Sequence, residues 1–269
     1  EHYGMLVWMK GAINYSDKII AVSPNYAKEI LTYDYGEGMD WTLRNNEYKL
    51  KGILNGIDYK IFNPETDKLI KYNYNSSNIE NKEKCKQDVM KDFWLEYKKD
   101  RPLIAMISRL VEQKGIDLLK AVENELRNLN ADIIILGTGE KRYEDFFVWM
   151  SYNSNNVRAR IEYSNDLCNK IYAGADMFLM PSKFEPCGLS QLISLKYGTI
   201  PIVRATGGLE DTINAYPNQD ADGFKFYNYN AHEMLGTIQF AIDAYHNKKE
   251  WNALIQNAMK KDFSWSKSA

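Results

Sequence analysis

The sequence predicts an α/β protein built on a doubly wound parallel sheet. Continuous apolar runs such as Ile133–Leu136 recur along the chain, and segments with helical spacing of apolar residues follow them. Short loops join these segments. Repeated β–α units whose strands are apolar on both faces are typical of a parallel sheet covered by helices on both sides.

Composition excludes several classes of protein. A chain of 269 residues with 45% hydrophobic residues is long enough for a packed core, and a net charge of −2 argues against a nucleic-acid-binding protein. No apolar stretch approaches the roughly 20 residues that span a bilayer, so no membrane partner is expected. The three cysteines are widely spaced and odd in number, which fits a reducing compartment better than a disulfide framework.

The elements follow in order from the N-terminus. Residues 6–15 predict an amphipathic helix, and Ile19–Val22 predicts a buried strand of a parallel sheet. Ser23 and Pro24 then suit the N-cap and first turn of another helix. Lys51–Asp58 predicts a short strand entering a turn, where Asn55-Gly56 favours positive φ.

The middle of the chain begins with a polar segment, residues 63–100, which we interpret as a surface connection with a helix over 82–97 and no site. The β–α repeat then starts. Strands are predicted at 102–107, 132–136, 157–162, 177–180 and 224–227, and helices at 116–129, 143–152, 166–174, 231–246 and 248–261.

Glu185 lies at a predicted strand-to-helix turn, because Pro186 and Gly188 precede leucines at helical spacing. Open α/β sheets bind ligands at such turns. The free amides of Cys187, Gly188 and Leu189 at a helix N-terminus would favour a phosphate or sugar hydroxyls. A second such turn follows at Thr206–Leu209.

Arg109 and Lys114 follow the apolar strand 102–107, five residues apart in a loop at the same predicted edge. Arg binds a diphosphate as a planar fork and Lys as a mobile point charge. Such a pair would also stabilise negative charge on a departing diphosphate. Isolated loop cations are usually solvated surface charges, so the assignment depends on wider context.

Five segments supply that context. Together they resemble the nucleotide-sugar-binding half of glycogen and starch synthases, retaining glucosyltransferases with two Rossmann-like domains (the GT-B fold). The matching segments, in one order along nearly the whole chain, are Ala21–Pro24, Gly52–Asp58, Ser108–Leu110 with Lys114-Gly115, Phe184–Leu189 and Tyr197–Leu209.

The resemblance implies a division of the chain and a reaction. Residues 1–51 would be a remnant of the N-terminal, acceptor-side domain with apolar surface exposed or repacked. Residues 52–258 would form the Rossmann-like nucleotide-sugar-binding domain, and 259–269 would begin a truncated helix crossing back. The parent enzyme would transfer glucose from ADP-glucose to the non-reducing end of an α-1,4-glucan with retention, and this fragment would bind nucleotide without turnover.

The resemblance also implies residue roles. Arg109, Lys114 and Glu185 would be catalytic, with the cations on the diphosphate and the carboxylate on glucose hydroxyls. Many relatives carry a second Glu where this chain has Ile193, so that ribose contact is not expected. Further donor contacts would come from Gly137, Thr138, Gly139, Tyr163, Cys187, Gly188, Leu189, Ser190, Thr206, Gly207 and Gly208, with Tyr163 stacked on the base.

Two other patterns have simpler interpretations. Cys187 near a helix N-terminus suggests a nucleophile, but no histidine is close in sequence, so a backbone-amide role is favoured. Asp220-Ala221-Asp222 has the form of a metal-binding motif of another glycosyltransferase fold, yet it lies in a polar loop and favours turn chemistry. Neither a metal nor a cofactor is expected.

Alternatives remain open at this point. The chain could be a non-catalytic nucleotide-sugar-binding module or part of another GT-B enzyme, such as a UDP-sugar-using transferase or an epimerase; a glucan phosphorylase would need a pyridoxal-phosphate lysine, for which no motif is present. The expected partners are a nucleotide sugar and, through the N-terminal domain, an α-glucan. A bacterial cytoplasm is favoured over a plastid. The sequence does not decide ADP-glucose against UDP-glucose.

Overall fold

The computed structural model describes residues 7–268. Its strands are β1 (Ile19–Ala21), β2 (Leu50–Gly52), β3 (Leu103–Ile107), β4 (Asp132–Leu136), β5 (Val157–Arg160), β6 (Met177–Met180), β7 (Ile200–Arg204) and β8 (Phe224–Phe226). Its helices are α1 (Trp8–Tyr15), α2 (Pro24–Glu29), α3 (Asp40–Arg44), α4 (Glu80–Asp92), α5 (Ile116–Ala121), α6 (Glu123–Arg127), α7 (Lys141–Asn153), α8 (Asn165–Gly174), α9 (Ser190–Lys196), α10 (Gly207–Thr212), α11 (Ala231–His246), α12 (Lys248–Lys260) and α13 (Trp265–Ser268).

Strands β3 to β8 form one parallel sheet in the order β5-β4-β3-β6-β7-β8. From β3 the chain winds outward through β4 to β5, then returns to β6 and winds outward the other way. The predicted doubly wound α/β fold is therefore confirmed. The winding reverses between β3 and β6, and in such sheets ligands bind beyond the carboxyl ends of the strands at this reversal.

The core lies on both faces of this sheet. Strand β4 is buried at every position, including the apolar run Ile133–Leu136, and β3, β6 and β7 are almost as fully buried. Helices α4 and α8 pack against each other, and α9, α11 and α12 pack near β7. Continuous apolar strands form here because both of their faces meet helices.

The N-terminal segment forms a separate two-stranded parallel sheet from β1 and β2. The predicted cap of α2 is confirmed, since Ser23 Oγ accepts from the Tyr26 amide at 3.1 Å. The expectation that Ile19–Val22 is buried is wrong in part: Ile20 is 55% exposed, because α2 packs on this small sheet and its other side is open. The predicted helix over 6–15 is found from Trp8, and residue 6 lies outside the described part of the chain.

The interpretation of residues 63–100 as a surface connection is wrong. Helix α4 ends at Asp92 rather than 97, and it buries Lys82 and Lys86 at the edge of the sheet where β3, β6 and β7 begin. Lys82 Nζ donates to Thr199 Oγ1 at 2.6 Å, and Lys86 pairs with Asp176 at 2.7 Å. Because burial disfavours the ammonium form, the pKa of Lys82 falls to about 8.

Three local predictions also need correction. The single helix over 116–129 is two helices, interrupted at the fully buried Val122, whose φ of −122° is not helical. Neither Asn55 nor Gly56 adopts positive φ; Gly56 instead allows close approach, since a Cβ there would lie 2.6 Å from the Trp265 nitrogen. Strand β5 ends at 160 instead of 162. Within residues 7–268, no helix is both long and apolar enough to span a bilayer.

Candidate functional site

Two cavities adjoin at the carboxyl edge of the large sheet. Cavity A, about 220 Å³, lies between the loops after β3 and β6 and is lined by Ser108, Arg109, Lys114, Ser182, Glu185 and residues 188–190. Cavity B, about 200 Å³, lies between the loops after β3 and β4 and shares Ser108 and Arg109 with cavity A. The site therefore occupies the reversal point of the winding.

The loop after β3 is fixed against the loop after β6. Gly115 has φ of +74°, and a Cβ there would lie 2.1 Å from the Pro181 carbonyl oxygen, so only glycine permits this approach. Gln113 joins the loops twice: its side chain donates to the Phe184 carbonyl at 3.2 Å, and its own carbonyl accepts from the Lys183 amide at 2.8 Å. These contacts set the position of Lys114 relative to Glu185.

Glu185 is almost fully buried, with 7% of its surface exposed. Its Oε2 accepts from Lys114 Nζ at 2.5 Å and from Ser182 Oγ at 2.9 Å. A buried carboxylate is tolerated because a cation and a hydroxyl replace the lost water. Arg109 is exposed and donates to Gln113 Oε1 at 3.3 Å, so its guanidinium remains accessible from both cavities. The three residues predicted as catalytic thus meet at cavity A.

The turn before α9 offers backbone donors to the same cavity. Among the described residues, the amides of Cys187, Gly188 and Leu189 find no protein acceptor, and Gly188 has φ of +68°. Ser190 begins α9 and also lines cavity A. Free amides at the start of a helix attract anions and hydroxyl oxygens.

Cys187 lies in this turn, and its side chain is not part of the lining of cavity A. Its side chain is buried, and that burial raises the pKa of the thiol, which opposes formation of a thiolate at neutral pH. Its carbonyl accepts from Gln191 Nε2 at 3.1 Å, which holds the turn closed. The predicted role of the Cys187 amide in ligand binding stays a prediction.

The second turn lies behind Glu185. The Thr206 hydroxyl and the Gly207 amide donate to Glu29 Oε1 of α2 at 3.0 and 2.8 Å, and the Gly208 amide donates to the Glu185 carbonyl at 3.0 Å. These polar groups are engaged within the protein. The predicted contacts of Thr206, Gly207 and Gly208 with a donor stay a prediction, and the geometry shows them supporting the Glu185 backbone.

Cavity B is the less polar of the two. Gly137, Thr138 and Tyr163 line it together with Cys168. Their predicted contacts with a nucleoside stay a prediction. Tyr163 is 82% exposed, so its ring is open to stacking, and its hydroxyl donates to Asn165. Gly139 lies beside the cavity, and its amide donates to Glu144 Oε1 at 2.9 Å.

Four residues of the site were missed by sequence reasoning. Ser108 lines both cavities, and its Oγ is buried without a partner among residues 7–268. Ser182 and Gln113 hold Glu185 and the loop before it. Arg204 is buried and donates to the carbonyls of Ser182 and Lys183 at 3.3 and 2.5 Å. Arg204 could have been found from the sequence, because a charged residue at the end of an apolar run indicates a possible site residue.

The Asp220-Ala221-Asp222 segment starts at the last residue of a turn over 216–220 and leads towards β8. Asp222 is fully buried, accepts from the Asn214 amide at 2.9 Å and pairs with Lys261. Over residues 7–268, no three His, Cys, Asp or Glu side chains are grouped as metal ligands would be. The expectation that the chemistry needs no metal stays a prediction.

Sequence comparisons connect this site with known proteins. Residues 91–261 match the family model of glycosyl transferases group 1, and residues 1–45 match that of the starch synthase catalytic domain. The glycogen synthase of Clostridium botulinum (strain Alaska E43 / Type E3) is 52% identical over 265 residues, which cover 97% of this chain and 55% of that protein. The glycogen synthase of Bacillus cereus (strain B4264) is 48% identical over 272 residues, covering 100% of this chain and 57% of that protein.

Structural comparison gives the same picture. The catalytic domain of starch synthase IV from Arabidopsis thaliana, bound to ADP and acarbose, superposes with a TM-score of 0.91 at 34% identity, covering 97% of this chain and 55% of that chain. Sucrose-phosphate synthase from Thermosynechococcus elongatus shares the fold, with a TM-score of 0.67 at 18% identity. The match covers 96% of this chain and 57% of that chain. This chain spans about half the length of the curated relatives it matches.

Proposed function

Because this chain belongs to the group 1 glycosyl transferases, we propose that it is the donor-binding part of a glycogen synthase. The observation that carries the proposal is the meeting of Arg109, Lys114 and Glu185 at cavity A, in a chain about half identical to bacterial glycogen synthases. The whole protein would transfer glucose from ADP-glucose to the non-reducing end of an α-1,4-glucan with retention.

The diphosphate of the donor would lie between Arg109 and Lys114. As the bond between the anomeric carbon and the diphosphate oxygen breaks, negative charge grows on the departing nucleoside diphosphate. Two fixed cations at the mouth of a half-enclosed cavity stabilise that charge and so lower the barrier. The Arg109 guanidinium can bind two oxygens at once, whereas Lys114 supplies a single charge that is already held in place by Glu185.

Glucose would lie deeper in cavity A, against Glu185 and the turn before α9. The carboxylate would accept from sugar hydroxyls, and the amides of Cys187, Gly188 and Leu189 would donate to sugar or phosphate oxygens. A buried carboxylate beside the sugar also favours the positive charge that develops on the anomeric carbon. The Ser108 hydroxyl, which is buried and has no partner among residues 7–268, would donate to the diphosphate where the two cavities join.

The nucleoside would occupy cavity B, with its base against Tyr163 and its ribose near Gly137 and Thr138. ADP is the favoured nucleotide because the starch synthase IV structure with a TM-score of 0.91 contains ADP. The acarbose in that structure supports an α-glucan as the acceptor of the whole protein. The bacterial relatives favour a bacterial cytoplasm as its location.

Calorimetric titration with ADP and with UDP tests the proposal. Arg109→Ala and Lys114→Ala should each weaken ADP binding about tenfold or more, because each loses a charge-assisted contact worth about 1.5–3 kcal/mol. Lys120→Ala removes the same charge from an exposed position on α5 and should change the affinity less than twofold, by about 0.4 kcal/mol or less. Tighter binding of UDP than ADP would overturn the donor assignment, and equal ADP affinities in all variants would overturn the site.

A further inference from the structure

Cavity B contains a carboxylate to which the proposed function gives no role. Among the described residues that line this cavity, Glu162 is the one acidic residue. It follows β5 in the chain, next to Tyr163, whereas Arg109 follows β3. Strand β4 lies between β3 and β5, which are therefore two strand spacings apart, about 10 Å. Glu162 thus borders the end of the cavity that is farther from Arg109.

This end of the cavity would receive the base of a bound nucleotide. With the diphosphate at Arg109 after β3 and the ribose at Gly137 after β4, the base reaches the loop after β5. The Gly137 amide donates to the Arg160 carbonyl at 3.2 Å, so the loops after β4 and β5 are held side by side. The Tyr163 ring would cover one face of the base, which leaves an edge of the base for Glu162.

Arg160 holds the Glu162 carboxylate in place. Its Nε lies 2.5 Å from Glu162 Oε1, which is buried, whereas 39% of the Glu162 side chain as a whole is exposed. The exposed part therefore consists of the methylene groups and Oε2, and Oε2 is the atom that can accept from a ligand. A carboxylate that is fixed through one oxygen presents the other with little further loss of side-chain freedom.

A carboxylate at the edge of a base discriminates between bases by their donors, because an ionised carboxylate only accepts hydrogen bonds. Adenine presents an exocyclic amino group at this edge. Uracil has a single N–H there, with a carbonyl oxygen on each side, and these oxygens would repel the Glu162 carboxylate. A site built to bind a donor rejects an analogue that lacks it, since the acceptor then loses water without gaining a partner.

We propose that Glu162 is the specificity-determining residue for the nucleotide, and that it selects a base with an amino group, adenine in ADP, over uracil in UDP. The inference rests on the proposed function for the position of the nucleotide, whereas the demand for a donor rests on the carboxylate itself. Stacking on Tyr163 is available to either base, because every base has an aromatic face. Tyr163 therefore supplies affinity, and Glu162 supplies selection.

Calorimetric titration with ADP and with purine riboside 5′-diphosphate, which is ADP without its exocyclic amino group, tests the proposal. The unmodified chain should bind ADP about tenfold more tightly, because hydrogen bonds to a charged acceptor are the stronger ones. Glu162→Met keeps the length of the side chain and removes both oxygens, so the two affinities should then agree within about twofold. The affinity of this variant for UDP should also move closer to its affinity for ADP.

Glu140→Met is the matched control. Glu140 forms an ion pair with Arg142 at 2.7 Å, its side chain is 42% exposed, and it lies outside the lining of cavity B. The control therefore loses the same charge and the same kind of ion pair as Glu162→Met, and it should keep the preference for ADP. Removing a negative charge near the diphosphate affects all nucleotides alike, so the ratio of the two affinities isolates the contact with the amino group.

The outcomes separate this inference from the proposed function. Equal binding of both ligands by the unmodified chain, or a preference for ADP that persists in Glu162→Met, overturns the role of Glu162 even where Arg109→Ala weakens ADP binding as expected. A preference that is lost in Glu162→Met while Arg109→Ala binds ADP like the unmodified chain supports the role of Glu162 and refutes the diphosphate assignment. Absence of ADP binding to the unmodified chain overturns both.

Discussion

The ion pair between Lys114 and Glu185 gives the most direct test of how the site at cavity A is built. Only 17% of the Lys114 side chain and 9% of the Glu185 side chain are exposed, so water replaces a lost partner of the carboxylate only in part. Lys114→Ala should lower the free energy of unfolding by about 3 kcal/mol, the lower end of the cost of breaking a buried pair, because Ser182 still donates to the carboxylate. For a chain of this size, that loss corresponds to a fall of about 6–12 °C in Tm.

Glu185→Gln should cost less than Lys114→Ala. The amide keeps the shape of the carboxylate, and the more exposed Lys114 can turn its ammonium towards solvent. The double variant should therefore be less destabilised than the sum of the single changes, with a coupling of about 1–3 kcal/mol in urea unfolding. The comparison uses identical conditions for all four chains, and Lys120→Ala controls for the lost charge.

Additive effects of Lys114→Ala and Glu185→Gln, within about 0.5 kcal/mol, would refute this reasoning, since uncoupled groups do not form the contact described. A coupled pair with unchanged ADP affinity in Lys114→Ala would refute a different step, namely that Lys114 serves the diphosphate as well as Glu185. The two measurements therefore separate the structural role of the lysine from its ligand role.

Three further predictions concern single positions. Gly115→Ala should destabilise the protein by at least about 1–2 kcal/mol from the left-handed backbone alone. It should also weaken ADP binding, because the added Cβ collides with Pro181. Unchanged urea unfolding would contradict the loop geometry. Ser108→Ala should leave the free energy of unfolding within about 0.5 kcal/mol and weaken ADP binding several-fold, since the hydroxyl has no partner in the described part of the chain to lose; calorimetry checks the affinity, and unaltered ADP binding would count against a ligand role. Burial lowers the pKa of Lys82 to about 8, so the unfolded chain binds the proton of this ammonium group more tightly than the folded chain and stability rises with pH. Relative to Lys82→Met, the free energy of unfolding should gain about 1.5 kcal/mol between pH 8 and 9.5. Parallel pH profiles of the two chains would contradict a depressed pKa.

The sequence predicted the parts of the fold that depend on local pattern. Apolar runs marked β3, β4 and β6 within a residue of their observed bounds, because a strand buried on both faces has no polar positions. The order of the β–α units also placed Arg109, Lys114 and Glu185 at one edge. Once parallel strands are adjacent, residues that follow their carboxyl ends must be neighbours.

The polar segment before β3 shows what local pattern does not contain. Its lysines and asparagines predicted a surface segment, yet Lys82 is buried at the edge of the sheet. Its ammonium group donates to the hydroxyl of Thr199, 117 residues away, and to backbone carbonyls. Burial of a charge depends on partners that only the fold supplies. Sequence reasoning missed two other features because they also depend on contacts that only the fold supplies: the interruption of the helix at Val122 and the hydrogen bonds of Gln113 between two loops.

The position of Glu185 depends on groups from distant parts of the chain. Lys114 and Ser182 hold its carboxylate, while Gly208 holds its carbonyl. Glu29 of α2 holds the turn that contains Gly208, because its carboxylate accepts from the Thr206 hydroxyl and the Gly207 amide.

Residues 19–52 contact the surroundings of Glu185 in two further places. Arg204 donates both to the loop before Glu185 and to the Tyr35 hydroxyl, and the Ser23 hydroxyl donates to the Pro186 carbonyl at 2.6 Å. The N-terminal segment therefore contacts the backbone on both sides of the carboxylate. A movement of α2 against the large sheet would change the position of Glu185 without touching a ligand, so the chain carries a physical connection between the segment 19–52 and the Glu185 end of cavity A.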